Sequence, residues 1–183
     1  MEAAPAEVIN VTEDPIAHVM DEMAYGLYIV GSTLDGEANG MMADWVMQVS
    51  FKPRLVAVAV ENDARTLQNV RENQLFTVNF LSQDRDSMEL AGKFAQPYYG
   101  AKVKGRDRSA AREVHHKLDG ISHAKTANGC PVLDAAMAWL ECRAQHFVPA
   151  GDHTIVIGEV LDGKLVRDSE PLTSSYTGWA YSG

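Results

Sequence analysis

The hydrophobic pattern alternates strand-like runs with a few short helical ones. Ile16, Val19, Met20 and Met23 recur at helical spacing behind Asp14-Pro15, a cap followed by a first-turn proline, and predict a short amphipathic helix. Gly26 to Leu34 is rich in β-branched and aromatic residues. Asp35-Gly36 then supplies the tight turn that returns the chain as a second strand, the clearest hairpin in the sequence. Leu55 to Val60, an unbroken apolar run after Lys52-Pro53, reads as a central strand. Ala64 to Asn73 places Leu67 and Val70 on one helical face, and Leu75 to Leu81 returns as strand. Asp86 to Ala95 reads as another short helix. Ala135 to Phe147 and His153 to Leu161 are strand-like, joined by Val148 to Asp152, and Asp162-Gly163 is expected to turn the chain into Lys164-Leu165-Val166.

Hairpins outnumber strand-helix-strand units, with roughly seven strands and two or three short helices, so the pattern predicts a mainly β, mostly antiparallel barrel with helical insertions. The length of 183 residues fits one domain over 1–183. Residues 1–13 form a loose lead-in, and Gln96 to His116 is a polar, glycine-containing excursion of unassigned role. The 171–183 tail carries Tyr176, Trp179 and Tyr181, too aromatic for a disordered end, and is expected to dock on the barrel or on a second subunit.

Composition narrows the function. Sixteen basic against 25 acidic residues give a net charge of −9, and no basic run interleaves with aromatics, which argues against nucleic acid as a partner. A small anion can still be held locally by hydroxyls, backbone N–H groups and one cation. No apolar run is long enough to span a membrane and the N-terminus lacks a secretory pattern, so a cytoplasmic protein is expected. Cys130 and Cys142 stand alone, without a Cys-x-x-Cys pair, and the six histidines show no metal-ligand spacing, so no metal site is expected.

The common nucleotide and hydrolase signatures are missing: no Gly-x-Gly-x-x-Gly, no phosphate-binding Gly-Lys-[Ser/Thr] loop, no His-Glu-x-x-His and no Gly-x-Ser-x-Gly. Five histidines read as solvated or singly bonded imidazoles. His153, in Gly151-Asp152-His153 between two strands, reads as a turn residue on spacing alone, though loops on rigid elements commonly present functional groups. The most unusual stretch is Asn39 to Pro53. Met41, Met42, Trp45 and Met47 suit a soft core, but Asp44 interrupts it, and in an extended chain Asp44, Gln48 and Ser50 project to one face. A polar ligand edge lined by flat apolar groups satisfies such a face.

Gly40-Met41-Met42-Ala43-Asp44-Trp45-Val46-Met47-Gln48-Val49-Ser50, then Pro53, Arg65-Thr66, Phe76 to Leu81, Lys93-Phe94 and Gly151-Asp152-His153 to Val160 together resemble flavin reductase-like proteins with the FMN-binding split β-barrel. The similarity covers about residues 20 to 175 in order. It implies a homodimeric split barrel with FMN near the subunit interface. Met41, Met42, Ala43, Asp44 and Trp45 would lie along the ring and ribityl chain, and Gln48, Val49 and Ser50 would continue toward the phosphate. Thr66 and the pair Lys93-Phe94 would complete the pocket. His153 would lie near the flavin face where NADH or NADPH stacks. Ser50, Thr66 and the first N–H groups of the 64–73 helix suit an anionic phosphate.

The resemblance implies an NAD(P)H-dependent flavin reductase that passes hydride to FMN and electrons on to an acceptor. Such transfer needs close stacking rather than an acid-base dyad, so His153 is read as orienting donor or flavin. The alternative is an FMN electron carrier of flavoredoxin type, reduced by a redox protein partner that the acidic surface steers. Asp63-Ala64, where members often carry serines, keeps open a third reading: a barrel without flavin acting as a dimeric binding module.

Overall fold

The computed structural model describes residues 15–95 and 116–179. Helix α1 (Pro15–Asp21) buries none of its side chains. The hairpin follows: β1 (Tyr28–Leu34) and β2 (Glu37–Ala43) pair in register from Leu34↔Glu37 to Tyr28↔Ala43. Asp35 and Gly36 take φ of 52° and 82°, the left-handed turn backbone that an Asp-Gly pair tolerates. Next come β3 (Val46–Phe51), β4 (Arg54–Glu61), α2 (Arg65–Asn73), β5 (Leu75–Phe80) and α3 (Arg85–Phe94). A small hairpin of β6 (His123–Lys125) and β7 (Pro131–Leu133) precedes the long strands β8 (Ala138–Ala150) and β9 (His153–Leu165) and the short α4 (Ser174–Thr177).

Seven strands form one sheet in the order β2-β1-β5-β8-β9-β4-β3, with every ladder antiparallel. Its two ends, β2 and β3, are consecutive in the chain and joined only by Asp44 and Trp45. The three steps from Ala43 to Val46 span at most about 11 Å. The sheet therefore rolls until its edges nearly meet, and no backbone ladder joins them among the described residues. This is the split barrel the resemblance implied, with a seam between β2 and β3.

Alternation along the strands fills the barrel with Val30, Val56, Val58, Val60, Phe76, Val78 and Val156, and Leu67 and Val70 of α2 join them as a plug. Gly158 lets the Phe76 ring reach the strand opposite, since a Cβ there would lie 2.6 Å from it. A second cluster sits outside: Ala91 and Phe94 of α3 pack with Leu27, Ile29, Leu81, Leu118, Leu133 and Leu172. Segment 126–133 is tied across the sheet by polar side chains. Thr33 donates to Gly129 O (3.0 Å), Thr77 to Pro131 O (2.6 Å), and Asn79 Oδ1 accepts from Leu133 N (2.9 Å).

Three expectations need correcting. Asp162-Gly163 does not turn the chain, because β9 runs through it to Leu165 opposite β8. A Cβ at Gly163 would lie 2.7 Å from the Leu140 side chain and 2.9 Å from Trp139 O, so this glycine marks a close strand approach. The strand count rises to nine and the helix count to four among the described residues, because β6, β7 and α4 are too short to show periodicity. The common face for Asp44, Gln48 and Ser50 is broken twice, by the turn at Asp44-Trp45 and by a register shift between Gln48 and Ser50.

Residues 171–179 lie on the chain's own barrel. Leu172 is buried, its N–H donates to Leu81 O and its carbonyl accepts from Leu27 N, both at 2.9 Å. Trp179 lies against Gly92 of α3, its ring 3.7 Å from where a Cβ would stand, an ordinary packing distance. Tyr181, the 1–13 lead-in and the excursion as far as residue 115 lie outside the described residues.

Candidate functional site

The seam gathers three segments. Trp45 is anchored by its carbonyl, which accepts from Ala59 N on β4 at 3.0 Å, and the tight Asp44-Trp45 turn is held by Val46 N donating to Asp44 O at 2.9 Å. His153, at the start of β9, brings its ring to 4.8 Å from the Trp45 ring at 43°. The turn before it is pinned to the end of β4: Asn62 N donates to Asp152 O (2.9 Å), Asn62 Nδ2 to Gly151 O (3.1 Å), and Thr154 Oγ1 to Asn62 Oδ1 (2.7 Å). Gly151 sits at φ 65°, which the turn requires. The third segment is the start of α2, three residues beyond Asn62, where Thr66 accepts from Asn39 Nδ2 of β2 at 3.1 Å.

The electrostatics are local. His153 is buried at 7% exposure, and its Nδ1 lies 2.6 Å from Asp152 Oδ1. That bond, and then the charge of His153, hold the exposed Asp152 carboxyl below its usual range. Asp44 is buried, and burial pushes its carboxyl upward, partly offset by the N–H groups of Asp44 and Trp45 and by His153. Ala64, the N-cap of α2, gives no side-chain cap, and the helix's first turn carries no acidic residue, though Asp63 stands directly before the cap.

Asp44, Trp45 and His153 meet at the seam, with the buried Ala43 beside them. Thr66 is buried, its hydroxyl turned to Asn39. Met41 packs against the barrel core and Met42 against the outer cluster, as alternation along β2 demands. Gln48 and Val49 are exposed on β3 and Ser50 is half-buried, with Gln48 Nε2 donating to Ser50 O at 3.1 Å. Lys93 is exposed at the end of α3, whereas Phe94 is buried beneath Gly40, where a Cβ would lie 2.4 Å from its ring.

Three residues of this corner escaped the sequence reading as site residues: Asp152, Asn62 and Asn39. Asp152 carried a signal, an acid directly before a histidine in a glycine turn. The two asparagines carried none, since their partners are remote in sequence. Asn39 Oδ1 is buried without a hydrogen-bond partner. Cys130 and Cys142 are buried free thiols, pushed up to about 11 and about 12 by burial and by Glu141. Among the described residues no group of His, Cys, Asp and Glu could hold a metal, and no helix is long and apolar enough to cross a membrane.

Comparison with known proteins agrees with this architecture. A family model described as a flavin reductase like domain matches residues 20–180. A ferric-chelate reductase (NAD(P)H) of Archaeoglobus fulgidus is 31% identical over 153 residues, covering 83% of this chain and 82% of that protein. A high molecular weight rubredoxin of Moorella thermoacetica is 30% identical over 155 residues, 84% of this chain, which spans only 62% of that relative. Among solved structures, flavin reductase HpaC complexed with NADP+ superposes with a TM-score of 0.72 at 27% identity, over 92% of this chain and 96% of that one.

Proposed function

This chain belongs to the flavin reductase-like family, and from that premise we propose that it is an NAD(P)H-dependent flavin oxidoreductase whose seam site holds FMN. A bound flavin accepts hydride from a reduced nicotinamide and passes the electrons on, chemistry that no side chain here supplies. The residues present fit such a group. Trp45 and His153 offer two aromatic rings, tilted by 43°, to one side of a ring system, and the start of α2, without a side-chain cap from Ala64, offers N–H groups to a phosphate. The orphaned Asn39 Oδ1, beside Thr66, leaves an acceptor for a ligand hydroxyl or N–H.

Each segment then has a task. Asp44-Trp45 closes the seam behind the ring. Met41 and Met42 hold β2 between the two clusters, and Phe94 supports it from beneath at Gly40. Ser50 and Thr66 hydroxyls complete the phosphate end, with Gln48, Val49 and Lys93 at its rim. Asp152 fixes the His153 ring by accepting at Nδ1, so His153 orients the nicotinamide by stacking. The observation that carries this reading is the convergence of the Trp45–His153 ring pair and the α2 N-terminus on one seam.

The molecule acts as a cytoplasmic homodimer. Edge strand β3 exposes Met47 (65%), Val49 (42%) and Phe51 (83%), an apolar edge that a second copy would cover. The test is direct. The purified protein should show flavin absorption or take up FMN in preference to riboflavin, and NADH or NADPH should bleach it rapidly on stopped-flow mixing. No flavin uptake would overturn the reading. Bleaching only by dithionite or a reduced protein would transfer it to an electron carrier, the reading that the rubredoxin relative favours.

A further inference from the structure

His153 stands at the tip of a hairpin. Strands β8 and β9 pair as far as Ala150↔His153, which leaves Gly151 and Asp152 as a two-residue loop, with Gly151 at φ 65°. Loop tips are ordinarily the mobile part of a sheet, yet this one carries a ring that meets the Trp45 ring at 4.8 Å. The Asp152–His153 bond of 2.6 Å joins neighbours in sequence and travels with the loop. It sets how the imidazole turns within the loop, not where the loop stands against Trp45.

Asn62 sets that second quantity. Its N–H donates to Asp152 O at 2.9 Å and its Nδ2 to Gly151 O at 3.1 Å, so one residue takes both carbonyls of the loop. On the other side of His153, Thr154 Oγ1 donates to Asn62 Oδ1 at 2.7 Å, and the same hydroxyl accepts from Arg71 Nη2 at 3.4 Å. Arg71, in the last turn of α2, lies over the Phe147 ring of β8, 4.9 Å from its centroid. The Asn62 side chain is exposed and adds nothing to a core. Nor does the β4–α2 turn depend on it, since Ala64 N closes that turn by donating to Glu61 O at 3.0 Å. Strand β4 thereby holds both rings: Ala59 N donates to Trp45 O at 3.0 Å, and Asn62, three residues on, holds the loop of His153.

We propose that Asn62 and Thr154 are positioning residues for hydride transfer: clamping the hairpin tip on both sides of His153, they fix the imidazole against Trp45 and so set how a reduced nicotinamide meets the flavin. The inference rests on the flavin reading above, in which His153 orients the donor. The clamp acts through His153 rather than on the reacting atoms. Hydride transfer requires donor and acceptor close and aligned, and a misplacement of about 1 Å, even from a distant substitution, slows such a step by up to roughly 10²-fold.

Three variants test the clamp. Thr154→Val keeps the shape of a buried side chain and removes its hydroxyl, Thr154→Ser keeps the hydroxyl, and Asn62→Ala opens the clamp from an exposed position that leaves the core untouched. In the flavin-free protein, nuclear Overhauser contacts between the Trp45 indole and the His153 imidazole should be strong in wild type and Thr154→Ser. They should weaken several-fold in Thr154→Val and Asn62→Ala. With flavin bound, Thr154→Val and Asn62→Ala should slow flavin reduction at saturating nicotinamide by roughly 10- to 100-fold with flavin affinity unchanged, and Thr154→Ser should recover most of that rate. Ring contacts that stay intact in Asn62→Ala would overturn the proposal, even should Thr154→Val fail to fold. So would a loss of flavin affinity as large as the loss of rate, or a Thr154→Ser no faster than Thr154→Val. If the protein takes up no flavin, the functional reading falls on its own, and the ring contacts in Asn62→Ala still decide whether the clamp exists.

Discussion

Lys117 is a buried ammonium whose removal should stabilise the protein. Its side chain is 8% exposed and its Nζ donates to Phe94 O, at the end of α3, at 3.1 Å. Burial pulls its pKa from 10.5 down to about 8. The folded state thus binds this proton more weakly than the unfolded chain, and the gap of about 2.5 pH units is worth roughly 3 kcal/mol against folding wherever the lysine is charged in both states. Below pH 8 that cost is fully present. Between about 8 and 10.5 the unfolded chain holds more protons, so stability rises with pH, and above 10.5 the cost is gone. Lys117→Met keeps a flexible unbranched side chain in the same space and forfeits the bond to Phe94 O, worth about 1 kcal/mol. The variant should therefore be more stable than wild type by about 2 kcal/mol at pH 7, with the advantage lost by pH 10.5. Urea unfolding of both proteins at pH 7, 8, 9, 10 and 10.5 reads this directly. A constant difference across the series, or a variant less stable at pH 7, would refute the claim that desolvation outweighs the carbonyl bond.

Gly40→Ala should cost about 1–3 kcal/mol, because its Cβ would meet the buried Phe94 ring at 2.4 Å; Phe94→Leu in the same chain should recover part of that loss in thermal unfolding. Asn79→Ala should cost about 3 kcal/mol, since Asn79 donates to Ile29 O and Thr77 Oγ1 and accepts from Leu133 N; hydrogen exchange at Leu133 should accelerate more than at Phe76. Asp44→Asn should raise stability at neutral pH, because the raised carboxyl makes the folded state the stronger proton binder, so wild-type stability falls as pH rises past the ordinary aspartate value; melting curves from pH 4 to 8 should converge at the acid end. Phe51→Asp places a charge on the apolar β3 edge and should shift the protein to monomer in sedimentation analysis while leaving the circular dichroism spectrum unchanged.

Elements with strong local signals were legible in the sequence. The Asp35-Gly36 hairpin, the Leu55–Val60 strand and helix α2 stand within a residue or two of their expected places, because turn chemistry and periodicity act locally. What failed depended on remote partners. Gly163 looked like a turn until Leu140 and Trp139 were seen against it. The shared face of Asp44, Gln48 and Ser50 presumed an unbroken strand, and the seam turn is imposed by barrel closure rather than by local propensity. Asp44, Trp45 and His153 were each named from the resemblance. The contact of Trp45 with His153, and the bond of Asp152 to that imidazole, required the β4–β9 ladder and the Asn62 anchor.

The two-residue bridge between β2 and β3 makes the cylinder's hoop and the ligand's backrest one piece of chain. Slack added there loosens the ring grip and the wall together, so a single inserted glycine beside Trp45 should blunt recognition and soften the whole body at once. The reverse also holds: a guest wedged against Trp45 acts as a rivet, and the empty molecule should breathe most along that slit.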